Sequence, residues 1–420
     1  MNNKNANSKN PINPELNVNA ARIDQNNINA KQDLGLYIHI PFCVKKCDYC
    51  DFLSAPATEE AKETYIKALL TEIHSYKNTM KEYRVPTIFI GGGTPSAINS
   101  SYIVDIMEAI QETFSIDYDR LEATIEINPG NVTKEKLQAY QKAGINRLSF
   151  GLQSVNNREL KMLGRIHTYE EFIDNYELAR ELGFHNINID LMSALPGQTL
   201  ESWENTLKTV IALEPEHISA YSLIIEEGTP FFDRYGEGSI YHKELPDEEV
   251  DRAIYHRSKE LLHDGGYHRY EISNYAKPGY ECRHNRSYWV GTEYLGLGLG
   301  ASSLYQGARL GNTQVLKDYV GICKENEGSN MLPSLLRHEI INLSIENKME
   351  EFMYLGLRLI QGIDTKEFQR RFHRDVYDVY QNELKHFISN NLIKVNGDQL
   401  ALTDYGLDVS NYVLSHFLLD

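Results

Sequence analysis

Six short apolar, β-branched runs alternate with long amphipathic segments between residues 35 and 225, and this alternation restricts the fold more than any other feature. The runs read GLYIHIP, PTIFIGG, EATIEINP, RLSFGLQS, NINIDLMSALPG and HISAYSLII. Between them lie stretches such as EEAKETYIKALLTEIHSY and TYEEFIDNYELARELG, the second closing on Gly183, with apolar residues at helical spacing. Strand then helix, repeated, builds a parallel sheet, and right-handed crossovers curl six such units into a partial, TIM-like (β/α)6 barrel. A full eight-unit barrel competes with this, but the rhythm breaks after Ile225.

Beyond the break the sequence predicts a helix from Asp247 to His263 and a strand and turn at YHRYEISNYA. From about residue 335 the composition changes. HEIINLSIENKMEEFMYLGLRLIQGID reads as one helix stopped near Gly362, TKEFQRRF as a second and DVYDVYQNELKHFISNNLI as a third, before a hairpin in IKVNGDQLALT whose Asn396-Gly397 pair signals a type I′ turn. This is a small winged-helix-like α+β pattern. The expected organisation is a disordered tail over 1–33, a barrel domain with its extension over 34–305 and the C-terminal domain over 306–420.

A chain of 420 residues with 41% hydrophobic content buries a large core. Its 42 basic against 59 acidic residues leave a formal charge of −17, which argues against a nucleic-acid partner. No apolar run reaches the ~18 residues that span a bilayer, and the N-terminal segment lacks a signal-peptide or transit-peptide pattern. Five cysteines in so long a chain are no disulfide framework, so a reducing, cytoplasmic setting is expected.

The unusual polar residues stand at strand ends. Gly91-Gly92-Gly93-Thr94-Pro95 ends the second run, Glu126-Ile127-Asn128-Pro129 the third and Gly151-Leu152-Gln153-Ser154 the fourth, and Asp190 lies in the fifth. In barrels of parallel strands that rim carries the active site. Bare glycine backbone permits close approach of a ligand. Glu126 can receive a ligand amine or hydroxyl, or pair with Arg147. Gln153 and Asp190 need partners, since an unpaired polar group in an apolar strand costs ~1 to 3 kcal/mol. Arg165 is the nearest cation for clamping a carboxylate.

The first run leads into PFCVKKCDYCDF, which sets Cys43, Cys47 and Cys50 in a C-x3-C-x2-C loop. A structural zinc site closes with four ligands. Three thiolates instead suit a four-iron, four-sulfur cluster with one iron left open. Zinc held by the three cysteines and His39 is the alternative.

Taken together, the C-x3-C-x2-C loop and the GGGTP, ExNP and GxQS motifs resemble those of the radical SAM enzymes, from about residue 35 to the C-terminus. Within that superfamily the chain is similar to the oxygen-independent coproporphyrinogen III oxidase group. The resemblance implies that Cys43, Cys47 and Cys50 hold the cluster and that Tyr37 and Tyr49 flank S-adenosylmethionine. It further implies that Gly92, Gly93 and Thr94 meet the methionyl amine, Arg165 its carboxylate, and Glu126, Gln153 and Asp190 the amine and ribose hydroxyls.

The oxidases of that group carry a further cysteine two residues past the third ligand, where this chain has Phe52. That departure, and the match of His284-Asn285-Arg286-Ser287-Tyr288-Trp289 to an HNxxYW motif, resemble the haem chaperone branch, usually called HemW. Haem bound at His284, with Tyr288 and Trp289 lining an apolar slot, is the expectation the resemblance implies. An ordinary core or surface histidine is the competing one. Cys282 is a neighbouring thiol and Cys323 reads as structural. The implied function is haem binding and transfer to an acceptor haem protein, respiratory and membrane-bound acceptors included, with peripheral contact at the inner membrane face where the acceptor sits there. The rivals are radical oxidative decarboxylation of porphyrinogen propionates and tRNA modification, the latter disfavoured by charge.

Overall fold

The computed structural model describes residues 31–419. The tail expected over 1–33 lies outside the described residues up to residue 30, and Gln32 and Asp33 open the first strand instead. Strands β1 (Gln32–Ile40), β2 (Tyr83–Gly92), β3 (Glu122–Ile127), β4 (Arg147–Gln153), β5 (Ile187–Ser193) and β6 (His217–Ser222) pair in parallel in chain order. Each forms on one of the six apolar runs.

Period-2 alternation assigns the two faces of these strands. In β4, Leu148, Phe150 and Leu152 are fully buried in the core, while Arg147, Ser149, Gly151 and Gln153 line a cavity on the other side. Ile187, Ile189 and Leu191 of β5 divide likewise from Asn188, Asp190 and Met192. The returning helices Glu59–Ser75, Ser100–Thr113, Lys134–Lys142, Tyr169–Glu181 and Leu200–Ile211 pack against the apolar face. Thr58, Asn99, Thr133, Thr168 and Thr199 cap their N-termini through the side chain, each cap contributing about 1 kcal/mol.

The barrel stays open. Beyond β6 the sheet continues through β8 (Asn274–Ala276) to β7 (His268–Arg269), both in antiparallel pairings, and β1 pairs in parallel with β9 (Tyr294–Leu297) rather than with β6. Three further antiparallel strands, β10 (Ser302–Tyr305), β11 (Ala308–Asn312) and β12 (Arg337–Asn342), complete a twelve-stranded sheet.

That extension departs from the expected division at residue 306, because β11 and β12 belong to the large sheet and the second core begins at Met349. The segment read as one long helix from HEIIN onward splits accordingly. Its first part is the edge strand β12, and Ser344 then caps a helix over Ile345–Gly356. The third expected helix breaks at Tyr380 into Val376–Val379 and Gln381–Ser389. The hairpin forms between β14 (Ile393–Asn396) and β15 (Gln399–Leu402), with β13 (Ile363–Asp364) on the other side of β15, giving the winged-helix-like layout. Its loop is Gly397-Asp398, and of these only Gly397 has a positive φ, 60°. This is the II′ pattern, one residue later than the type I′ turn expected.

Candidate functional site

The cysteine loop is tied to the rim by backbone bonds that the glycine run makes possible. Gly93 N donates to the Ile40 carbonyl at 2.9 Å and Thr94 N to the Phe42 carbonyl at 2.8 Å. A Cβ on Gly93 would stand 2.8 Å from the Phe42 oxygen, and one on Gly92, whose φ is +113°, would enter the His39 ring at 2.5 Å. The glycines therefore serve first to let the loop lie against β2. The loop's return is held by Ala55 N to the Pro41 carbonyl and by His39 Nε2 sharing a hydrogen bond with the Leu53 carbonyl at 2.9 Å.

The three thiols are half-buried and unlinked. Thr94 Oγ1 donates toward Cys43 Sγ at 3.5 Å and Arg165 Nη1 toward Cys47 Sγ at 3.6 Å, while burial pushes the Cys50 thiol up. Among the described residues no three His, Cys, Asp or Glu side chains converge as a single metal ion requires. His39, the fourth ligand of the zinc alternative, has its Nδ1 engaged by the Tyr37 hydroxyl at 3.0 Å and its Nε2 by Leu53. Thiols presented apart on one loop, with donors aimed at sulfur, suit the corners of a four-iron, four-sulfur cube.

One cavity of about 550 Å³ opens beneath this loop. Its lining includes all thirteen residues singled out from the sequence: Cys43, Cys47, Cys50, Tyr37, Tyr49, Gly92, Gly93, Thr94, Glu126, Gln153, Arg165, Asp190 and His284. Phe52, 64% exposed, and Ile224, 69% exposed, lie in the same lining and give it apolar surface open to solvent.

Two carboxylates face one another across the walls. Glu126 accepts one hydrogen bond, from Gly92 N at 3.1 Å, and burial together with the Asp190 charge pushes its carboxyl up to about 8. The expected alternative pairing with Arg147 does not form. Asp190 accepts from Asn188 Nδ2 at 2.8 Å and Ser149 Oγ at 3.2 Å, and burial raises it too. Two half-buried carboxyls, neither in an ion pair, leave a place for a ligand amine and hydroxyls. Arg165, half-buried, donates to Asn128 Oδ1 at 2.7 Å and to the Gly151 carbonyl. Gln153 holds a left-handed backbone, φ 73°, where β4 slips register against β5; such strain in a non-glycine residue clusters at binding sites.

His284 is fully buried. Its Nδ1 shares a hydrogen bond with Thr87 Oγ1 at 3.0 Å and its Nε2 one with the Tyr288 hydroxyl at 2.8 Å, and its ring stacks on Phe89. Burial and the Arg147 charge hold it down at about 3, so the imidazole is neutral. Tyr288 lines the cavity as expected, but Trp289 does not: its ring lies under the Arg358 guanidinium, 4.5 Å from the ring centre, against the C-terminal domain. Cys282 is buried beside Glu122, and its thiol is pushed up to about 12 by burial.

Arg147, Ser149, Asn188, Ser219 and Tyr221 also line the cavity and were not singled out as ligand-facing from the sequence. The signal was present in RLSFGLQ, INIDLMS and HISAYS, where polar or small residues alternate with apolar ones. A packed barrel interior is filled by Val, Ile and Leu; a polar one marks a binding cavity.

Residues 37–210 match the radical SAM superfamily model and residues 343–409 the HemN C-terminal domain model. Heme chaperone HemW of Bacillus subtilis is 35% identical over 91% of this chain and 98% of its own length. Heme chaperone HemW of Escherichia coli is 34% identical over 92% and 98%. The crystal structure of coproporphyrinogen III oxidase (HemN) from Escherichia coli aligns with a TM-score of 0.78 at 24% identity, over 93% of this chain and 91% of that one, and so shares the fold. The open barrel, the thiol loop on its rim and these end-to-end matches place the chain in the HemW family of the radical SAM superfamily.

Proposed function

We propose that this protein binds haem and passes it to an acceptor haem protein, carrying a four-iron, four-sulfur cluster on Cys43, Cys47 and Cys50 with S-adenosylmethionine beside it. The observation that carries the reading is the match, over 91% of this chain and 98% of the relative, to a protein named heme chaperone. Supporting it, the cavity beneath the thiol loop reaches His284 and Tyr288, and Phe52 stands where the porphyrinogen oxidases resembled above carry a further cysteine.

When bound, the cluster and S-adenosylmethionine supply one-electron chemistry at an open iron. The chain's own residues bind and orient. Glu126 and Asp190 offer acceptors to the amine and ribose hydroxyls, Arg165 and Gln153 fix the opposite wall, and Tyr37 and Tyr49 close the sides. Burial raises both tyrosine hydroxyls, so they stay protonated as donors. His284 brings a neutral imidazole, the form that ligates iron. Ligation through Nε2 requires the Tyr288 hydroxyl to leave it. The exposed faces of Phe52 and Ile224 give a flat apolar macrocycle a surface along which to enter and leave.

No helix among the described residues is long and apolar enough to cross a membrane. The test is transfer. Haem-loaded, anaerobically reconstituted protein mixed with apomyoglobin, as a generic recipient, should yield the myoglobin spectrum, and coproporphyrinogen with S-adenosylmethionine should yield no protoporphyrinogen. Porphyrinogen turnover without haem release would overturn the reading.

A further inference from the structure

Arg147 opens β4 and is 2% exposed, yet it makes no hydrogen bond and no ion pair among the described residues, and its Nε is a buried donor without a partner. A guanidinium cannot shed its proton to escape this position. The charges of Glu122 and Asp190 act on it through space but neither bonds it, and a buried cation whose donors make no hydrogen bond is costly to hold. The side chain lines the cavity with Ser149, Asn188, Ser219 and His284. The polar groups there are already committed to one another: Asn188 Nδ2 donates to Ser149 Oγ at 2.8 Å, and Ser219 Oγ donates to Asn188 Oδ1 at 3.1 Å. Arg147 is thus an uncommitted cation on the floor of a cavity that already holds Glu126 and Asp190.

We propose that Arg147 forms a carboxylate subsite on the cavity floor, separate from Arg165, and that it takes a propionate arm of haem. Several features select that chemistry. The planar fork of a guanidinium matches a carboxylate through two parallel hydrogen bonds. The Asp190 carboxyl in the same cavity opposes a doubly charged phosphate more strongly than a single carboxylate. Arg165 bonds the Gly151 carbonyl, about 13 Å of strand beyond the Arg147 backbone at about 3.3 Å per residue, so the two side chains enter the cavity from different levels of β4. His284 lines the same floor, so one ligand carrying both iron and a carboxylate can engage both residues. This subsite rests on the haem reading given above.

The experiment compares haem with its dimethyl ester, in which both propionates are uncharged, by Soret titration of wild-type protein, Arg147→Gln and Arg147→Lys. Parallel titrations use S-adenosylmethionine and its decarboxylated analogue. Wild type should bind the ester about tenfold or more weakly than haem, the loss of a charge-assisted hydrogen bond. Arg147→Gln should bind haem and ester alike and keep wild-type affinity for S-adenosylmethionine; Arg147→Lys should recover part of the preference for haem. The wild-type comparison of haem and ester needs no substitution and decides the question even where a variant fails to fold. Equal affinity of wild type for haem and ester overturns the subsite and leaves the haem reading standing. Binding of neither porphyrin overturns the haem reading and the subsite with it. Loss of discrimination between S-adenosylmethionine and its decarboxylated analogue in Arg147→Gln, with haem affinity unchanged, assigns the arginine to the other carboxylate and overturns the proposal.

Discussion

Glu126 shows how one half-buried side chain couples acidity, stability and ligand charge. Its folded carboxyl sits near 8, raised by burial and by Asp190, while an unfolded glutamic acid titrates near 4.5. Between those values the folded state holds a proton that the unfolded state has released, so the contribution of Glu126 to stability is fully present below about 4.5 and is lost as pH rises through about 8. Melting of ligand-free protein across that window should show this decline, and Glu126→Gln should flatten it; an identical slope in the variant would remove Glu126 as its source. At neutral pH, S-adenosylmethionine, a cation, should release protons as it binds wild type but fewer in Glu126→Gln, which calorimetry in buffers of different ionisation enthalpy reads directly. The Tyr288 hydroxyl occupies His284 Nε2, so under the proposed haem ligation Tyr288→Phe frees that nitrogen and is expected to tighten haem binding severalfold in a spectral titration. Weaker binding in that variant would mean that the hydroxyl helps hold the ligand.

The glycine run and the cysteine loop act as one element. Gly93→Ala places a methyl 2.8 Å from the Phe42 carbonyl oxygen and 3.0 Å from that of Ile40, so the loop must move. A shift of this kind costs about 1 to 3 kcal/mol. Iron and sulfide per chain after anaerobic reconstitution should fall at least twofold, whereas full loading would mean that the loop tolerates displacement. The sequence announced these elements clearly because strand ends carry their own chemistry: GGGTP, Glu126-Ile127-Asn128-Pro129 and the cysteine spacing lie where six apolar runs stop. It was silent on His284 Nε2, since a hydroxyl four residues along a short helix cannot be seen meeting it before the helix exists. Arg147 was visible only as one alternative partner of Glu126, a pairing that does not form. Its alternation with Leu148, Phe150 and Leu152 gives the face it lies on, but only the three-dimensional sheet shows that this face is hollow.

Two large cores, one behind the twelve-stranded sheet and one between Met349 and Phe417, stand beside a small cluster of Leu163, Leu195, Phe231 and Tyr235. The helix carrying His284 touches both, because Trp289 at its end stacks under Arg358 and Arg371 Nη1 donates to the Val290 carbonyl at 3.2 Å. Further ties are Arg309 to Glu351 at 2.5 Å and Ile360 N to the Tyr270 carbonyl at 3.1 Å. A cation over an indole contributes about 0.5 to 2 kcal/mol. Arg358→Ala should therefore lower the melting temperature by a few degrees and shift the emission of Trp289, readable against Trp203 alone in a Trp289→Phe background; unchanged emission would show that the contact is not made in solution. The expected boundary at residue 306 falls between β10 and β11, since β11 and the edge strand β12 are short and polar enough to resemble a linker, and only their pairing reveals the sheet they extend.

Haem capture at the cavity floor is tested most directly by Soret titration of anaerobically reconstituted wild type, His284→Ala and Cys47→Ala. Saturable binding in wild type, at least tenfold weaker binding in His284→Ala with iron-sulfur absorption intact, and lost iron-sulfur absorption with retained haem binding in Cys47→Ala are the expected results. Wild-type haem affinity in His284→Ala would contradict the assignment of haem to this cavity.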